Sequence, residues 1–286
     1  MKKIILLYIV GSLTLFAQNL ESLKRGIVPI VKITDFTDEK GLRYKIPNGT
    51  ALIVTDEKNY PGRIFLVTAK HVIEKDSVTQ CMINFCKKSD RNKSVVSSVI
   101  KYNIFKNEWR FHQTDRINRL GRDTTFYTYD IAIAELFMQR IKIDGEELWH
   151  QPLDLNNFIT SSSGKNDTLK ILAFPFVNKF NWERGLTMGD LEEDMGLKRL
   201  SQHEAIPFEK NKFVYDLGEV LIENPKFRPG YSGGLVFYSN SQSYKFAGVS
   251  MGMTNVVKRN GKNYCFGFYI KAENLTEAFR QNFKIH

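Results

Sequence analysis

The chain has 286 residues, of which 42% are hydrophobic and 25% are charged, and its formal net charge is +10. This composition excludes collagen-like, low-complexity and largely disordered proteins, because ample apolar material is present to form a core. Its length fits about two domains, or one domain with two lobes. The basic charge would attract acidic partners, but no nucleic-acid-binding motif accompanies it. We therefore interpret it as solvated surface and expect no nucleic-acid partner.

The first 17 residues are interpreted as a signal peptide. Lys2 and Lys3 precede an apolar run of fourteen residues, Ile4–Ala17, which ends in a small residue before polar Gln18. The run is shorter than the roughly 20 apolar residues that a bilayer span needs, and the alternatives are a buried N-terminal element or an uncleaved anchor. We expect an exported protein, periplasmic or secreted, without a membrane span after cleavage. Loss of two lysines and no acids would lower the net charge from +10 to +8.

Short segments rich in β-branched and aromatic residues dominate the rest of the chain and predict strands. In chain order they are residues 27–33, 50–55, 64–68, 94–104, 131–136, 169–174, 219–222, 234–238, 245–251 and 264–270. Turn formers separate them, among them Pro47-Asn48-Gly49, Tyr60-Pro61-Gly62 and Arg259-Asn260-Gly261. One segment, Ala272–Phe283, repeats apolar residues at helical spacing. The sequence thus predicts an all-β fold with a C-terminal helix.

A polar stretch divides the predicted strands into two groups. Residues 154–170 include Ser161-Ser162-Ser163-Gly164 and are the most linker-like part of the chain. We therefore expect two small β-barrels, an N-terminal lobe of residues 18–155 and a C-terminal lobe of residues 156–286.

The cysteines do not form a disulfide framework. Cys81, Cys86 and Cys265 are odd in number, so at least one thiol is unpaired or pairs between chains. Cys81 and Cys86 are close enough in sequence to pair if a turn joins them. No histidine lies beside these two cysteines to indicate zinc, and we expect neither a metal nor a cofactor.

Three residues stand in segments that suit nucleophilic catalysis. His71 follows an apolar strand pattern, Asp130 precedes the predicted strand 131–136, and Ser232 lies in the glycine-rich turn Pro229–Gly234. A serine hydroxyl is a weak nucleophile unless an imidazole takes its proton. The imidazole in turn needs an acceptor on its other nitrogen. Each residue alone is more commonly a structural or turn residue, and Asp115 and Asp123 are alternative carboxylates for the same role.

The glycines of the serine turn add a second requirement of this chemistry. Preorganised N–H donors must stabilise the negative oxygen of a tetrahedral intermediate. Gly230 can place its N–H beside that of Ser232 without a Cβ in the way, and Gly233 and Gly234 permit a close turn.

Together, Thr68-Ala-Lys-His71, Asp130-Ile-Ala-Ile133 and Gly230-Tyr-Ser-Gly-Gly234 resemble the chymotrypsin/trypsin-like serine protease family. The chain order of His, Asp and Ser, at separations of 59 and 102 residues, is the order of that family. The resemblance covers roughly residues 24–284. It implies two six-stranded antiparallel β-barrels of double Greek-key topology with a C-terminal α-helix. It also implies a triad of His71, Asp130 and Ser232, and an oxyanion hole formed by the N–H groups of Gly230 and Ser232.

The same resemblance implies a substrate-binding region. Ser250-Met251-Gly252 is similar to the strand segment that pairs with the substrate backbone, and Gly252 and Gly267 would form open walls of the S1 pocket. Lys226, six residues before Ser232, corresponds to the S1 floor. A lysine there would favour acidic side chains at P1. The alternative is that Lys226 points to solvent in a remodelled loop.

One departure from the family pattern is informative. Tyr231 replaces the aspartate that pancreatic-type enzymes use before the nucleophile during activation, so the chain is more similar to bacterial HtrA-type protease domains. No PDZ domain is expected, because the chain ends after its helix. The other histidines, His112, His150, His203 and His286, have no motif around them and are interpreted as surface or core residues.

These observations predict an exported serine endopeptidase that acts on protein or peptide substrates through an acyl-enzyme intermediate. Two alternatives remain open at this point. One is a catalytically silent trypsin-like fold that acts as a protein-binding module, and the other is an esterase that uses the same three residues.

Overall fold

A computed structural model of the chain describes most of its residues from Leu23 onward. The described residues are 23–37, 41, 43–87, 98–115, 117–120, 124–137, 142–143, 146–150, 152–157, 168–174, 201–207, 217–222, 230–239, 244–253, 257–259 and 262–284. The predicted signal peptide, Lys226, His286, Asp123 and most of the predicted linker lie outside them.

The described chain is mostly β-strand, as the sequence predicts. In the first half the strands are β1 (Ile27–Thr37), β2 (Arg43–Thr55), β3 (Ile64–Thr68), β4 (Val78–Lys87), β5 (Ser98–Phe105), β6 (Arg110–Phe111), β7 (Ile117–Leu120), β8 (Thr124–Tyr127), β9 (Ala132–Leu136), β10 (Lys142–Ile143), β11 (Glu146–Trp149) and β12 (Leu153–Asp154). In the second half they are β13 (Thr168–Ala173), β14 (Ser201–Pro207), β15 (Leu217–Ile222), β16 (Leu235–Ser239), β17 (Tyr244–Met253), β18 (Val257–Arg259) and β19 (Lys262–Lys271).

Helices are few and short. Helix α1 (Lys70–Ile73) follows β3, and α2 (Ala272–Asn282) follows β19, which confirms the predicted C-terminal helix. Two single-turn 3₁₀ helices span Lys106–Glu108 and Leu155–Asn157. Within the described residues, none of the helices has the length and hydropathy that crossing a bilayer requires.

The strands of the first half form one sheet of ten strands in the order β10-β11-β4-β1-β2-β3-β9-β6, with β5 on β4 and β12 on β2. Its pairings are antiparallel except for β12 with β2. Strands β7 and β8 pair separately as a hairpin. The described pairings leave this first sheet as an open path.

The strands of the second half form a seven-stranded sheet that closes on itself. The order is β15-β14-β13-β16-β17-β19-β18, and β15 also pairs with β19. Six of these strands therefore form a closed antiparallel ring, with β18 outside it on β19. The described pairings close one ring and not two, so the arrangement of two six-stranded barrels stays a prediction.

The predicted turn Pro47-Asn48-Gly49 is wrong, because β2 runs through it. Gly49 lies opposite Ile30 and Pro47 lies opposite Val31, so Asn48 is the extra residue of a β-bulge. The bulge lets proline and glycine stand inside a strand of 13 residues. It also changes the direction of the strand just before Thr50.

The disulfide between Cys81 and Cys86 that a turn would allow is excluded by the structure. Both residues lie in β4, where five residues of extended chain separate their Cα atoms by about 16 Å. Disulfides join Cα atoms about 4.4–6.8 Å apart. Cys81 is a free, fully buried thiol.

The main core is shared between the two sheets and α2. Strands β2 and β3 contribute Leu52 and Val67, the second sheet contributes Leu235 and Ile270, and α2 contributes Phe279, all in one buried cluster. A second cluster lies on the opposite face of β2 and β3 and belongs to the first sheet. The shared core fixes the two sheets against each other where the candidate site lies.

Candidate active site

The pairing of β3 with β9 brings His71 and Asp130 to the same edge of the first sheet. Thr68 at the end of β3 lies opposite Ala132 at the start of β9. Because the strands are antiparallel, the residue that follows β3 lies beside the residue that precedes β9. The backbone N–H of Lys70 donates to the carbonyl of Asp130 at 3.2 Å and joins the two segments.

Both carboxylate oxygens of Asp130 bind His71. Asp130 Oδ2 lies 2.5 Å from His71 Nδ1, and Oδ1 accepts the backbone N–H of His71 at 2.9 Å. The Asp130 side chain is 1% exposed. An acceptor at Nδ1 places the ring proton there in the neutral imidazole, which leaves Nε2 as an acceptor.

Electrostatics around His71 favour its charged form. Burial lowers the pKa of His71, but the hydrogen bond to Asp130 and the negative charges of Asp130 and Glu74 raise it, and the net pKa lies above the ordinary 6.5. The imidazole is thus a stronger base than a free histidine. Such a shift suits a group that receives a proton during a reaction.

Ser232 lies in a turn that backbone hydrogen bonds hold against β17. The N–H of Gly233 donates to the carbonyl of Ser250 at 2.6 Å, and the N–H of Ser250 donates to the carbonyl of Gly234 at 2.8 Å. Gly233 has a φ of +86°, and a Cβ there would lie 1.8 Å from the carbonyl oxygen of Thr50. Only glycine fits this position, so the glycine-rich pattern has a steric cause.

The two sheets meet at Ser232. Its hydroxyl Oγ lies 3.0 Å from His71 Nε2, and its carbonyl accepts the backbone N–H of Thr50 in β2 at 2.8 Å. The structure therefore joins Asp130, His71 and Ser232 in one line of hydrogen bonds, with Ser232 from the second sheet and the other two residues from the first. In this arrangement His71 Nε2 can take the proton of the serine hydroxyl.

Gly230 and Ser232 carry backbone donors beside the nucleophile. Gly230 has a φ of +96°, a conformation that glycine adopts without strain. Among the described residues, no group accepts a hydrogen bond from either N–H.

The predicted substrate segment lies beside Ser232. β17 pairs with β16 only as far as Val249, and the backbone of Ser250 is bonded to Gly233 and Gly234. Because β17 continues to pair with β19 as far as Met253, residues 251–253 have one unpaired edge among the described strands. Ser250 and Met251 are buried, and a Cβ added to Gly252 would lie 3.9 Å from Ser232 Oγ. Gly267 lies on the neighbouring strand β19, opposite Met253.

Asp115 is close to the site but has another role than the triad carboxylate. Its Oδ2 accepts Lys70 Nζ at 2.7 Å, and its Oδ1 accepts the backbone N–H of Tyr129 at 2.9 Å. Lys70 precedes His71 and Tyr129 precedes Asp130, so Asp115 ties together the two segments that carry the site. The sequence shows Asp115 only as one of several nearby acids.

Thr50 is the other residue that sequence reasoning missed. It contacts the serine turn through both its backbone and its hydroxyl. Its one sequence signal is a polar residue in an apolar strand, which is too common to indicate a site.

Two of the other histidines pack against aromatic rings. His112 is buried and stacks on Tyr129 with ring centroids 4.0 Å apart, and His150 lies against Phe85. In the part of the chain that the structure describes, no group of three or more His, Cys, Asp or Glu residues could hold a metal ion.

Comparisons with known proteins find similarity to solved structures only. No family model matches the chain, and no curated protein matches it. Among solved structures, the chain is similar to the MamO protease domain from Magnetospirillum magneticum in its apo form, with 10% sequence identity and a TM-score of 0.45. The match covers 89% of this chain and 96% of that one.

Proposed function

We propose that this protein is a serine endopeptidase that hydrolyses peptide bonds of protein or peptide substrates. The observation that carries the proposal is the line of hydrogen bonds from buried Asp130 through His71 to Ser232 Oγ, with N–O distances of 2.5 and 3.0 Å. Such a line supplies a nucleophile, its base and the group that orients the base.

The reaction proceeds in two halves. Ser232 Oγ attacks the carbonyl carbon of the scissile bond while its proton passes to His71 Nε2, and Asp130 stabilises the resulting imidazolium. The C–N bond then breaks, His71 protonates the leaving amine, and an acyl-enzyme forms on Ser232. In the second half His71 takes a proton from water as the water oxygen attacks the ester carbon. The bond between that carbon and Ser232 Oγ then breaks, the acyl group leaves as a carboxylic acid, and His71 returns the proton to Oγ.

The N–H groups of Gly230 and Ser232 form the oxyanion hole in this proposal. Supporting it are the place of Gly230 and Ser232 in one turn, the positive φ of Gly230, and the lack of acceptors for these N–H groups among the described residues. One such donor contributes roughly 2.7–4 kcal/mol to transition-state stabilisation in a measured protease.

The substrate backbone binds along the unpaired edge of β17 as an added strand. The support is that residues 251–253 extend past β16 and past the bonds between Ser250 and the serine turn, with Gly252 beside Ser232. Main-chain hydrogen bonds would give affinity, and side-chain pockets would give specificity. Gly252 and Gly267 would then leave room for the P1 side chain.

An acidic P1 preference is the proposed consequence of Lys226. A lysine at the floor of the S1 pocket would attract Asp or Glu and repel Lys or Arg. Cleavage of a peptide library by the wild-type protein and by Lys226→Ala measures this. Acidic P1 residues should dominate the wild-type profile and lose their advantage in the variant. A strong Arg or Lys preference would refute it.

The fold proposed for this activity is trypsin-like, with two six-stranded barrels in residues 18–155 and 156–286. The closed ring of six antiparallel strands in the second half supports one of these barrels. The first sheet supplies His71 and Asp130, and the second supplies Ser232.

Covalent labelling by a fluorophosphonate tests the proposed function. Ser232 Oγ attacks phosphorus, fluoride leaves, and the phosphonyl group stays on the serine. The wild-type protein should label, Ser232→Ala should lose labelling and turnover while staying folded, and the exposed Ser77→Ala should behave as wild type. A folded wild-type protein that never labels would refute the proposal and favour a binding module.

Substrate class is tested separately with matched amides and esters. An endopeptidase should hydrolyse internal peptide bonds of a folded or denatured protein as well as activated esters. Hydrolysis of the esters alone would assign the site to an esterase.

Export is proposed from the lysine pair and apolar run of residues 1–17. N-terminal sequencing of the protein recovered from the expressing cell should give Gln18 as the first residue. Recovery with the apolar run intact would contradict cleavage.

A further inference from the structure

The three polar groups of Thr50 make four hydrogen bonds, and together these bonds connect three segments around the nucleophile. Its N–H donates to the Ser232 carbonyl at 2.8 Å, and its carbonyl accepts the Thr68 hydroxyl at 2.7 Å. Its hydroxyl donates to the Gly230 carbonyl at 2.8 Å and accepts the N–H of Phe174 at 2.9 Å. The residue is fully buried. A buried hydroxyl with both bonds satisfied has one orientation, so it can fix the groups that it contacts.

The hydroxyl acts on the residue that carries one of the proposed oxyanion donors. The Gly230 N–H and the Gly230 carbonyl flank the same Cα, at a φ of +96°. Glycine has no side chain to restrict rotation, so this conformation needs an external restraint. The Thr50 hydroxyl is that restraint on the carbonyl side, and the bond from Thr50 N–H to Ser232 restrains the other end of the turn.

The Thr50 hydroxyl also connects the serine turn to residues of both sheets through hydrogen bonds. Thr50 belongs to β2 of the first sheet, whereas Phe174 follows β13 and Gly230 precedes β16, both of the second sheet. The hydrogen bonds of this single hydroxyl therefore span 180 and 124 residues of sequence. A movement of either sheet would therefore change the position of Gly230, because the Thr50 hydroxyl is bonded to it.

We propose that Thr50 is a positioning residue that holds the N–H groups of Gly230 and Ser232 in their oxyanion-binding orientation. This inference rests on the proposed function. Thr50 is 0% exposed and does not meet substrate, so it acts through Gly230. Donors in an oxyanion hole contribute mainly in the transition state. Loss of the hydroxyl should therefore lower kcat and leave KM unchanged.

Three variants separate the hydroxyl from the general stability of the strand. Thr50→Val keeps the shape of the side chain and removes the hydroxyl, Thr50→Ser keeps the hydroxyl, and Thr79→Val is the matched control. Thr79 is also a buried threonine of the first sheet, and its hydroxyl has no hydrogen-bond partner among the described residues.

Steady-state hydrolysis of a peptide amide, with the pH profile of kcat/KM, is the measurement. Thr50→Val should lower kcat about 10- to 100-fold, which is the scale of effect that slight misplacement of catalytic groups produces. KM and the acid limb of the pH profile should not change, because the bonds between His71 and Asp130 are untouched. Thr50→Ser should recover most of the loss, and Thr79→Val should behave as wild type.

The outcomes distinguish this inference from the proposed function. An inactive, folded wild-type protein would refute the proposed function and the inference with it. An active wild type with unimpaired Thr50→Val would refute the inference alone, as would a Thr50→Ser variant no better than Thr50→Val.

If Thr50→Val does not fold, Thr50→Cys keeps the size with a weaker donor. Unchanged kcat in folded Thr50→Cys would then overturn the inference.

Discussion

Glu74 is a single residue that helps to raise the pKa of His71, the proposed base, without contacting Ser232, the proposed nucleophile. It lies at the C-terminal end of α1, where its carboxylate accepts a hydrogen bond from the Tyr127 hydroxyl. Its negative charge is one of the causes that raise the pKa of His71. The acid limb of activity reports the pKa of the base, since His71 must be neutral to accept a proton.

Glu74→Gln should move the acid limb of kcat/KM to lower pH. Removing a nearby negative charge makes the imidazolium less stable, so the pKa of His71 falls and activity persists in more acidic solution. The pH dependence of kcat/KM measures the shift. Glu57→Gln, which removes an exposed acid that does not act on His71, is the control. An unchanged limb in Glu74→Gln would contradict the electrostatic account.

His150 gives the free energy of unfolding a pH dependence. Its Nε2 is buried without a hydrogen-bond partner among the described residues, and burial lowers the pKa of His150 from 6.5 to about 4. The unfolded chain therefore binds this proton more readily than the folded chain. The contribution to stability is complete above pH 6.5 and is lost as the pH falls from there toward 4.

Replacing His150 should remove this part of the acid sensitivity. Protonation of His150 lowers the free energy of unfolding by up to about 3 kcal/mol, because the folded protein binds this proton less readily than the unfolded chain. Denaturant unfolding of wild type and His150→Phe, at pH values from 7 to 4, measures the difference. The two proteins should diverge only below pH 6.5. Parallel curves throughout the range would show that His150 does not titrate in this way.

At the scale of elements, the link between α1 and the start of β9 depends on Asp115. This carboxylate is 3% exposed and binds Lys70 at 2.7 Å, while Lys70 Nζ also lies 4.1 Å from the centre of the Tyr127 ring. Hydrogen bonds to charged groups stabilise proteins by about 1.5–3 kcal/mol. The bond from Tyr129 N–H to the same carboxylate fixes the segment that carries Asp130.

Asp115→Ala should lower the free energy of unfolding by about 2 kcal/mol, because it removes both bonds. Asp115→Asn keeps an acceptor for Tyr129 and should cost about half as much. Urea unfolding measures both. The acid limb of kcat/KM should not move in either variant, since Asp115 is not among the causes of the His71 pKa shift. Equal losses in the two variants would show that the Tyr129 bond contributes nothing.

Elements with a clear apolar pattern could be predicted from sequence, whereas β4, which has buried polar residues, could not. The predicted strand 64–68 coincides with β3, and the predicted helix 272–283 ends one residue beyond α2. The sequence does not predict β4, because Thr79 and Gln80 interrupt its apolar pattern. Both are buried, and Gln80 donates to Asn103 on β5 at 2.6 Å. That cross-strand bond offsets the burial, and a single sequence does not reveal it.

The residues of the candidate site also fall into those that the sequence could identify and those that it could not. His71, Asp130 and Ser232 each stand at a strand end with a local pattern, so sequence reasoning could identify them. Thr50 and Asp115 matter only through contacts between distant segments. Those contacts depend on strand register and on how the sheets dock, which local pattern does not encode.

On the scale of the whole molecule, α2 follows the second sheet in the chain and packs against the first. The helix follows β19, yet its Phe279 ring lies 4.9 Å from the ring of Phe65 in β3 and 5.9 Å from that of Tyr60. Asn282 also donates to the carbonyl of Phe111 in β6 at 2.9 Å. Since the shared core includes all these elements, we expect the two halves to unfold together.

Phe279→Ala should destabilise both halves at once. Removing a buried phenylalanine costs about 3–5 kcal/mol, and the aromatic cluster around it would lose its centre. Calorimetry and loss of hydrolysis on heating measure the effect, and both should shift to lower temperature in one coincident transition. Lys245→Ala, an exposed change in the same half, is the control. Two separate transitions in the wild type would contradict a shared core.

The position of Ser232 on a different sheet from its base has a mechanical consequence. The contact between Asp130 and His71 is internal to one sheet, whereas the 3.0 Å contact between His71 Nε2 and Ser232 Oγ crosses the boundary between sheets. A small rotation of one sheet against the other would lengthen the second contact and leave the first intact. The distance between His71 Nε2 and Ser232 Oγ is therefore set by how the two sheets are docked, and not by the folding of either sheet alone.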